Sequence, residues 1–345
     1  MHLINRTPFV AATAMMADRF GKESLVVLLK GTWSIRKEGL SIAEMQAPIV
    51  RAPVYHLREM IGGRNGNHRG EPGKLSLLYD GDLVPEKPGT DCLLLGHAYA
   101  PGKNTQQVDV TFVVGPVGKR VRVFGERVWY RYFGMLFQTE PLPFEKIPLV
   151  YERAFGGEDR SLDDPARYSF CSENRVGTGF RVKGSRLPVD GMLMPNLEWP
   201  DRPIGRPGDR YHPAGFGPVS PDWQPRLGFA GTQDDRWRKE TAPLPPADFN
   251  PRYFCSASSG LTTEKHLLGG EAVLVENASP ESRLSFPLPT LLPRATLKRG
   301  VRRIDFPLSL DTVIVEPDLG RVQIVWRGKE ALAEDPSDIE WVRIV

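Results

Sequence analysis

Cysteine is nearly absent from this 345-residue chain: Cys92, Cys171 and Cys255 are few, odd in number and far apart. That excludes a disulfide framework and fits a reducing compartment. Long apolar runs are missing too. The longest fully aliphatic stretch, Leu25 to Leu29, is far too short to span a bilayer. The run Pro8 to Ala17 resembles a secretory leader only faintly, because Thr13 interrupts it and no cleavage pattern follows. The chain is therefore expected to be soluble and cytoplasmic, with no membrane partner. Neither sign of charge dominates: 45 basic and 42 acidic residues leave a formal net charge of +3. Such a surface carries no strong field and gives no reason to expect a nucleic-acid partner. Helical periodicity is also scarce, with no capped i, i+3, i+4 pattern of about twelve residues.

Signatures of chemistry are equally thin. The histidines His2, His56, His68, His97, His212 and His266 form neither H-x-H nor H-E-x-x-H, and C-x-x-C does not occur. No metal site and no cofactor are expected. The Gly-rich run Gly62 to Lys74 fails as a phosphate loop, because His68 and Leu75 stand where Gly and Ser or Thr are needed. It reads as a mobile basic loop. No G-x-S-x-G elbow is present, and Cys255 lacks the context of a cysteine protease, so no catalytic residue is assigned. Asp163-Asp164 and Asp234-Asp235 are adjacent acids, and glycosidases do use two carboxylates. However, Asp163-Asp164-Pro165 has turn chemistry. The basic residues Arg294, Lys298, Arg299, Arg302 and Arg303 read as a solvated strand face guarding a sheet edge.

What the chain does have is strands at both ends and an unusual centre. Phe9 to Met16 and Ser24 to Ile35 form a hairpin pattern, followed by Leu75 to Tyr79, Cys92 to Tyr99, Val108 to Val114 and Arg120 to Phe124. In the last of these, Val121 and Val123 alternate with Arg120 and Arg122, as in a half-buried strand. Ala272 to Glu276, Ala295 to Lys298, Thr312 to Val315 and Val322 to Trp326 return to strand, the last two around a Pro317 to Gly320 turn. Between them, Tyr151 to Gly260 is about one quarter Gly and Pro, roughly twice average usage. Trp199, Trp223 and Trp237 and several Phe are spread through it. Disordered linkers lack aromatics, so an ordered, irregular segment is expected. The predicted architecture is all-β: one antiparallel, sandwich-like domain over 1–345. The strand-rich ends, residues 1–150 and 266–345, share a core, and 151–265 is an irregular elaboration with few short helices.

A series of landmarks runs along the chain: Asn5 to Phe9, Lys30-Gly31-Thr32-Trp33, Tyr151 to Gly157, Arg175 to Phe180 and Met194 to Glu198. It continues with Pro213 to Pro218, Trp223 to Arg226, Gly231-Thr232, Trp237, Asp248 to Asn250 and Leu268 to Glu271. This order resembles a bacterial family labelled a domain of unknown function and encoded in type VI secretion clusters. Leu57 to Asn67 departs from it, reading as longer or more variable. The resemblance implies a non-enzymatic adaptor or chaperone that binds a secreted effector and helps load it onto the spike complex; it implies no catalytic residues. Two alternatives remain open: a glycan or peptidoglycan hydrolase using carboxylates of the central segment, and a carbohydrate-binding sandwich. Candidate protein-binding residues are Trp199, Trp223, Trp237 and Phe216. For each Trp, core anchorage is the competing role. Trp199 leads, because Glu198-Trp199-Pro200-Asp201 is a polar, Pro-limited turn. Glu152, Arg153, Gly156 and Gly157 are candidates for structural work, tying the central loop to the sheets.

Overall fold

The β-branched and aromatic runs near both termini assemble into three principal sheets. The computed structural model describes residues 1–18, 20–57, 59, 75–332 and 338–345. The loop 62–73, and most of the stretch 57–67, lie outside the described residues. The six-stranded sheet runs Val10–Ala17, Glu23–Arg36, Arg321–Ala331, Ser309–Glu316 and Asp91–Leu94, with Gly39–Ile42 pairing the end of Glu23–Arg36. The five-stranded sheet runs Leu197–Glu198, Val117–Phe124, Gln107–Val114, Ala272–Glu276 and Arg283–Pro287. The four-stranded sheet runs His2–Asn5, Trp341–Ile344, Arg294–Arg299 and Arg302–Pro307. All three contribute to one principal hydrophobic core.

The fold is all-β and mostly antiparallel, as expected, and Asp235–Glu240 is the one α-helix among the described residues. No helix among them is long and apolar enough to cross a membrane. Three strand pairings among the described residues are parallel: His2–Asn5 with Trp341–Ile344, Asp91–Leu94 with Ser309–Glu316, and the short pair Phe155–Gly156 with Thr178–Gly179. The single strand expected from Cys92 to Tyr99 is two, Asp91–Leu94 and His97–Tyr99, which lie in different sheets. Gly96 between them has φ 152°, a turn away from the strand path that favours glycine.

The six-stranded sheet is buried on both faces, and the two faces differ. On one, Leu25, Val27, Leu29 and Trp33 join Val322, Ile324 and Trp326 in the principal core. Trp33 lies 5.0 Å from Phe9 and 5.7 Å from Trp326, ring centre to ring centre. Gly31 makes this possible, since a Cβ there would fall 2.4 Å from the Trp33 ring. On the other face Lys30 pairs with Asp82 at 2.8 Å, Arg327 pairs with Asp311, and Glu316 accepts from Arg321 and Gln323 at 2.6 Å. Asp82 also accepts the Val50 amide, and Thr32 Oγ1 the Ala47 amide, so the segments around Ala47 and Asp82 cover this polar face. Buried ions are tolerated when they are paired and hydrogen-bonded.

The central segment has little regular structure but is closely fastened. Asn174 is fully buried; its Nδ2 donates to the carbonyls of Tyr151 at 2.8 Å and Phe155 at 3.0 Å. The Gly157 amide donates to the Asn174 carbonyl at 2.8 Å. Glu152 accepts the amide and the hydroxyl of Ser76, both at 2.7 Å, and Arg153 donates to Asn196 Oδ1 at 3.0 Å. Gly156 has φ 155°, and a Cβ there would lie 2.3 Å from the Asn174 carbonyl oxygen. Gly156→Ala is therefore expected to lose roughly 3 kcal/mol or more of stability in a urea titration. Gly191 also has a positive φ, 77°, but open space around it, so Gly191→Ala should cost only about 1 kcal/mol. Equal unfolding midpoints for the two variants would refute this account of the packing.

Candidate functional site

The strand Val117–Phe124 alternates strictly: Lys119, Val121 and Val123 point inward, while Arg120 and Arg122 are more exposed. An ammonium group thus occupies a core-facing position, and Lys119 is only 7% exposed. Its Nζ donates to Ser258 Oγ at 2.7 Å and to the Gly215 carbonyl at 3.1 Å. Ser258 in turn donates its own proton to the Gly215 carbonyl at 2.9 Å. Among the described residues no carboxylate pairs with Lys119. Burial alone pulls its amine from 10.5 down to about 7. The Trp199 ring, 5.1 Å from Nζ, offers a cation–π contact in place of a counter-ion.

Lys119, Ser258 and Trp199 line a cavity of about 550 Å³, within the size range of small-molecule sites. Trp199 reaches it because the preceding strand Leu197–Glu198 pairs with Val117–Phe124, with Leu197 opposite Val123. Gly215 comes from the Pro213 to Pro218 landmark, where a Cβ would press on the Tyr151 ring at 2.9 Å. Tyr151 stands edge-on to Trp223 at 5.5 Å and donates to the Gly217 carbonyl at 3.2 Å; burial raises its phenol, so it stays protonated. Asp201, Arg202, Glu173 and His212 also line the cavity, with His212 Nδ1 2.8 Å from the Glu173 carboxylate. Trp199 Nε1 is buried and has no hydrogen-bond partner among the described residues. A neighbouring cavity of about 480 Å³ shares Val219, Pro225 and Ser259 with this one.

Of the four candidate aromatics, Trp199 lines this cavity. Phe216 is fully buried in the principal core, edge-on to Phe112 at 6.3 Å, and Trp223 belongs to the same core. Trp237 sits on the short helix Asp235–Glu240, its Nε1 donating to the Leu244 carbonyl at 2.9 Å. Glu152, Arg153, Gly156 and Gly157 surround Asn174 and its neighbours rather than the cavity. The adjacent acids are engaged locally. Asp163 pairs with Arg186 at 2.6 Å and Asp235 with Arg238 at 2.6 Å, while Asp164 and Asp234 accept backbone amides at helical starts. Among the described residues no three His, Cys, Asp or Glu side chains gather to hold a metal ion.

Two features escape a reading of the sequence. The Val121, Val123 alternation, carried one step back, places Lys119 inside; that signal is present but easily passed over. Ser258 carries none, because only tertiary contact makes it a partner. The second feature is a hairpin, Trp129–Tyr132 against Met135–Gln138. Its two-residue turn has Phe133 at φ 47° and Gly134 at φ 78°, the left-handed pair that a tight hairpin demands. Trp129 is anchored in a second hydrophobic cluster with Phe155, Phe180 and Met194. Beyond it the ribbon is bare: Tyr132 is 60%, Met135 59% and Phe133 85% exposed. Tyr130 stacks on Phe137 at 5.8 Å and Tyr132 meets Phe133 at 4.5 Å.

The Lys119 site has a measurable cost in stability. Its amine titrates near 10.5 unfolded and about 7 folded. Between these values the unfolded chain holds the extra proton, so stability rises as pH climbs from 7 towards 10.5 and is lowest below pH 7. The full difference amounts to roughly 5 kcal/mol. Lys119→Met keeps the apolar stem and deletes the charge. It is expected to melt above the wild type at pH 6.5, with the gap closing by pH 10. A variant that melts lower at pH 6.5 would show that the amine stabilises the fold.

Searches of curated proteins and of solved structures return no match to the chain. A family model does match, over residues 20–327: DUF2169, described as an uncharacterized protein conserved in bacteria. That span takes in the whole five-stranded sheet, the six-stranded sheet apart from Val10–Ala17 and the end of Arg321–Ala331, the central segment, the Lys119 cavity and the aromatic hairpin, and the chain belongs to this DUF2169 family of bacterial proteins.

Proposed function

We propose that this chain is a non-enzymatic cytoplasmic adaptor that binds a type VI secretion effector and helps load it onto the spike complex. The observation that carries the reading is the bare aromatic hairpin. Aromatic residues and Met are enriched at the centres of protein interfaces, and rigid aromatics lose little entropy on binding. Tyr132, Phe133 and Met135 stand in solvent on a ribbon rooted by buried Trp129. Exposed apolar clusters of this kind are places where partners dock. Loading has to be reversible, which suits a few anchors in a moderate interface better than a core-like contact. The ordered series of landmarks along the chain supports the type VI assignment by resemblance.

The test is a binding measurement against candidate type VI effector and spike proteins of the host bacterium. A Tyr132→Ser, Phe133→Ser double variant should weaken effector binding by about 2 kcal/mol or more, with an unchanged melting temperature, since neither side chain is in a core. Trp199→Ala, measured in parallel, separates the hairpin from the cavity as the anchor. Full effector binding by both variants would remove these two surfaces from the reading. Purified protein that cleaves peptidoglycan in the absence of any effector would overturn the reading itself.

A further inference from the structure

We propose that the Lys119 cavity binds a carboxylate, the acid group resting on Lys119 Nζ and an attached planar or apolar group lying against Trp199. The inference does not depend on the adaptor reading. It rests on an inventory of donors and acceptors. An ammonium carries three protons. Two of those on Lys119 go to Ser258 Oγ and the Gly215 carbonyl, and no anion among the described residues balances the charge. Trp199 Nε1, a donor only, is buried and has no acceptor among the described residues. Both residues line one cavity of about 550 Å³. The site is therefore short of an acceptor with negative charge. A buried cation without a counter-ion is unfavourable, and a carboxylate from the ligand would form a charge-assisted hydrogen bond there.

The arrangement argues against two competing uses. In a serine–lysine acyl-transfer pair the hydroxyl passes its proton to the amine. Here Ser258 directs its proton to the Gly215 carbonyl and accepts from Lys119. A phosphate dianion would call for further cations at the floor. The other charged residues lining the cavity, Glu173 and Asp201 against His212 and Arg202, are mixed in sign and add no positive field. One buried cation beside one indole suits a monoanion with an apolar body. Two sources share that chemistry: a free organic acid and the C-terminal carboxylate of a peptide.

Calorimetric titration of the full chain at pH 6.5 with four probes distinguishes them. The probes are hippurate, its neutral amide, and the tripeptide acetyl-Ala-Gly-Phe as the free acid and as the C-terminal amide. At least one acid should bind about ten- to a hundredfold more tightly than its amide. Lys119→Met should erase that preference, and Trp199→Ala should weaken the same acid. Binding of the free-acid tripeptide well above hippurate assigns the site to a chain terminus; the reverse assigns it to a free acid. The acid-against-amide comparison uses the wild type, so it stands even if a variant misfolds. The proposal fails if acids and amides bind alike, if a folded Lys119→Met keeps the preference, or if neither acid binds below about 10 mM.

Discussion

The pairing of Glu23–Arg36 with Arg321–Ala331 is the constraint on which the rest of the molecule depends. It runs without a break from Ser24 opposite Ala331 to Ser34 opposite Arg321, joining the two ends of the chain at the centre of one sheet. Both faces of this pair are buried, so both must be covered. The apolar face is met by the other sheets through the principal core. The polar face is met by the segments around Ala47 and Asp82 through buried ion pairs. The Lys30-Gly31-Thr32-Trp33 landmark serves both at once. Lys30 and Thr32 reach the polar cover, while Gly31 vacates the space that Trp33 fills on the core side. Closing so long a loop costs entropy that grows only slowly with its length. A large irregular segment between early and late strands is therefore compatible with the frame.

That segment solves a different problem. Backbone N–H and C=O groups need partners wherever they are buried, and residues 151–265 have few strand ladders to provide them. Buried side chains substitute. Asn174 serves the Tyr151 and Phe155 carbonyls, and Glu152 serves Ser76. Asp91, at the edge of the six-stranded sheet, accepts the Ser256 amide at 2.8 Å and the Thr262 hydroxyl at 2.9 Å while pairing with Lys87 at 2.8 Å. Gly156 permits backbone to pass against backbone where a Cβ would collide. The order of the segment comes from these point fastenings and from its buried aromatics, not from repeated local conformation.

This division explains what was legible in the sequence. The hairpin across Asp18 to Gly21, the Pro317 to Gly320 turn and the Val108 to Phe124 strands announced themselves, because period-two burial and turn chemistry are local signals. The break at Gly96 was hidden inside an apolar run, since apolarity does not reveal a turn. The parallel partners of Asp91–Leu94 and His2–Asn5 were hidden for another reason: strand order is a tertiary property. Of the site, Trp199 stood out because a large aromatic beside Pro200 has no simple place in a sheet. Lys119 was readable in principle from the phase of Val121 and Val123, but a lysine in a mixed-charge strand looks like a surface residue. Ser258 and Gly215 have meaning only once distant segments meet.

The hairpin and the Lys119 cavity break opposite rules, and for that reason they point the same way. The hairpin leaves apolar rings in water; the cavity places a cation where water is scarce. Neither arrangement helps the isolated fold, and chains depart from local consistency chiefly where function requires it. For the hairpin the remedy is a surface that covers Tyr132, Phe133 and Met135. For Lys119 it is a negative charge, because Ser258 and Gly215 supply only neutral acceptors. A protein partner suits the first and an acid the second. The two sites are rooted in different hydrophobic clusters, Trp129 with Phe155 for the hairpin and Tyr151 with Trp223 for the cavity, and Asn174 ties these clusters together through the Tyr151 and Phe155 carbonyls. Under the proposed adaptor reading, one surface would serve the protein partner while the other takes an acid.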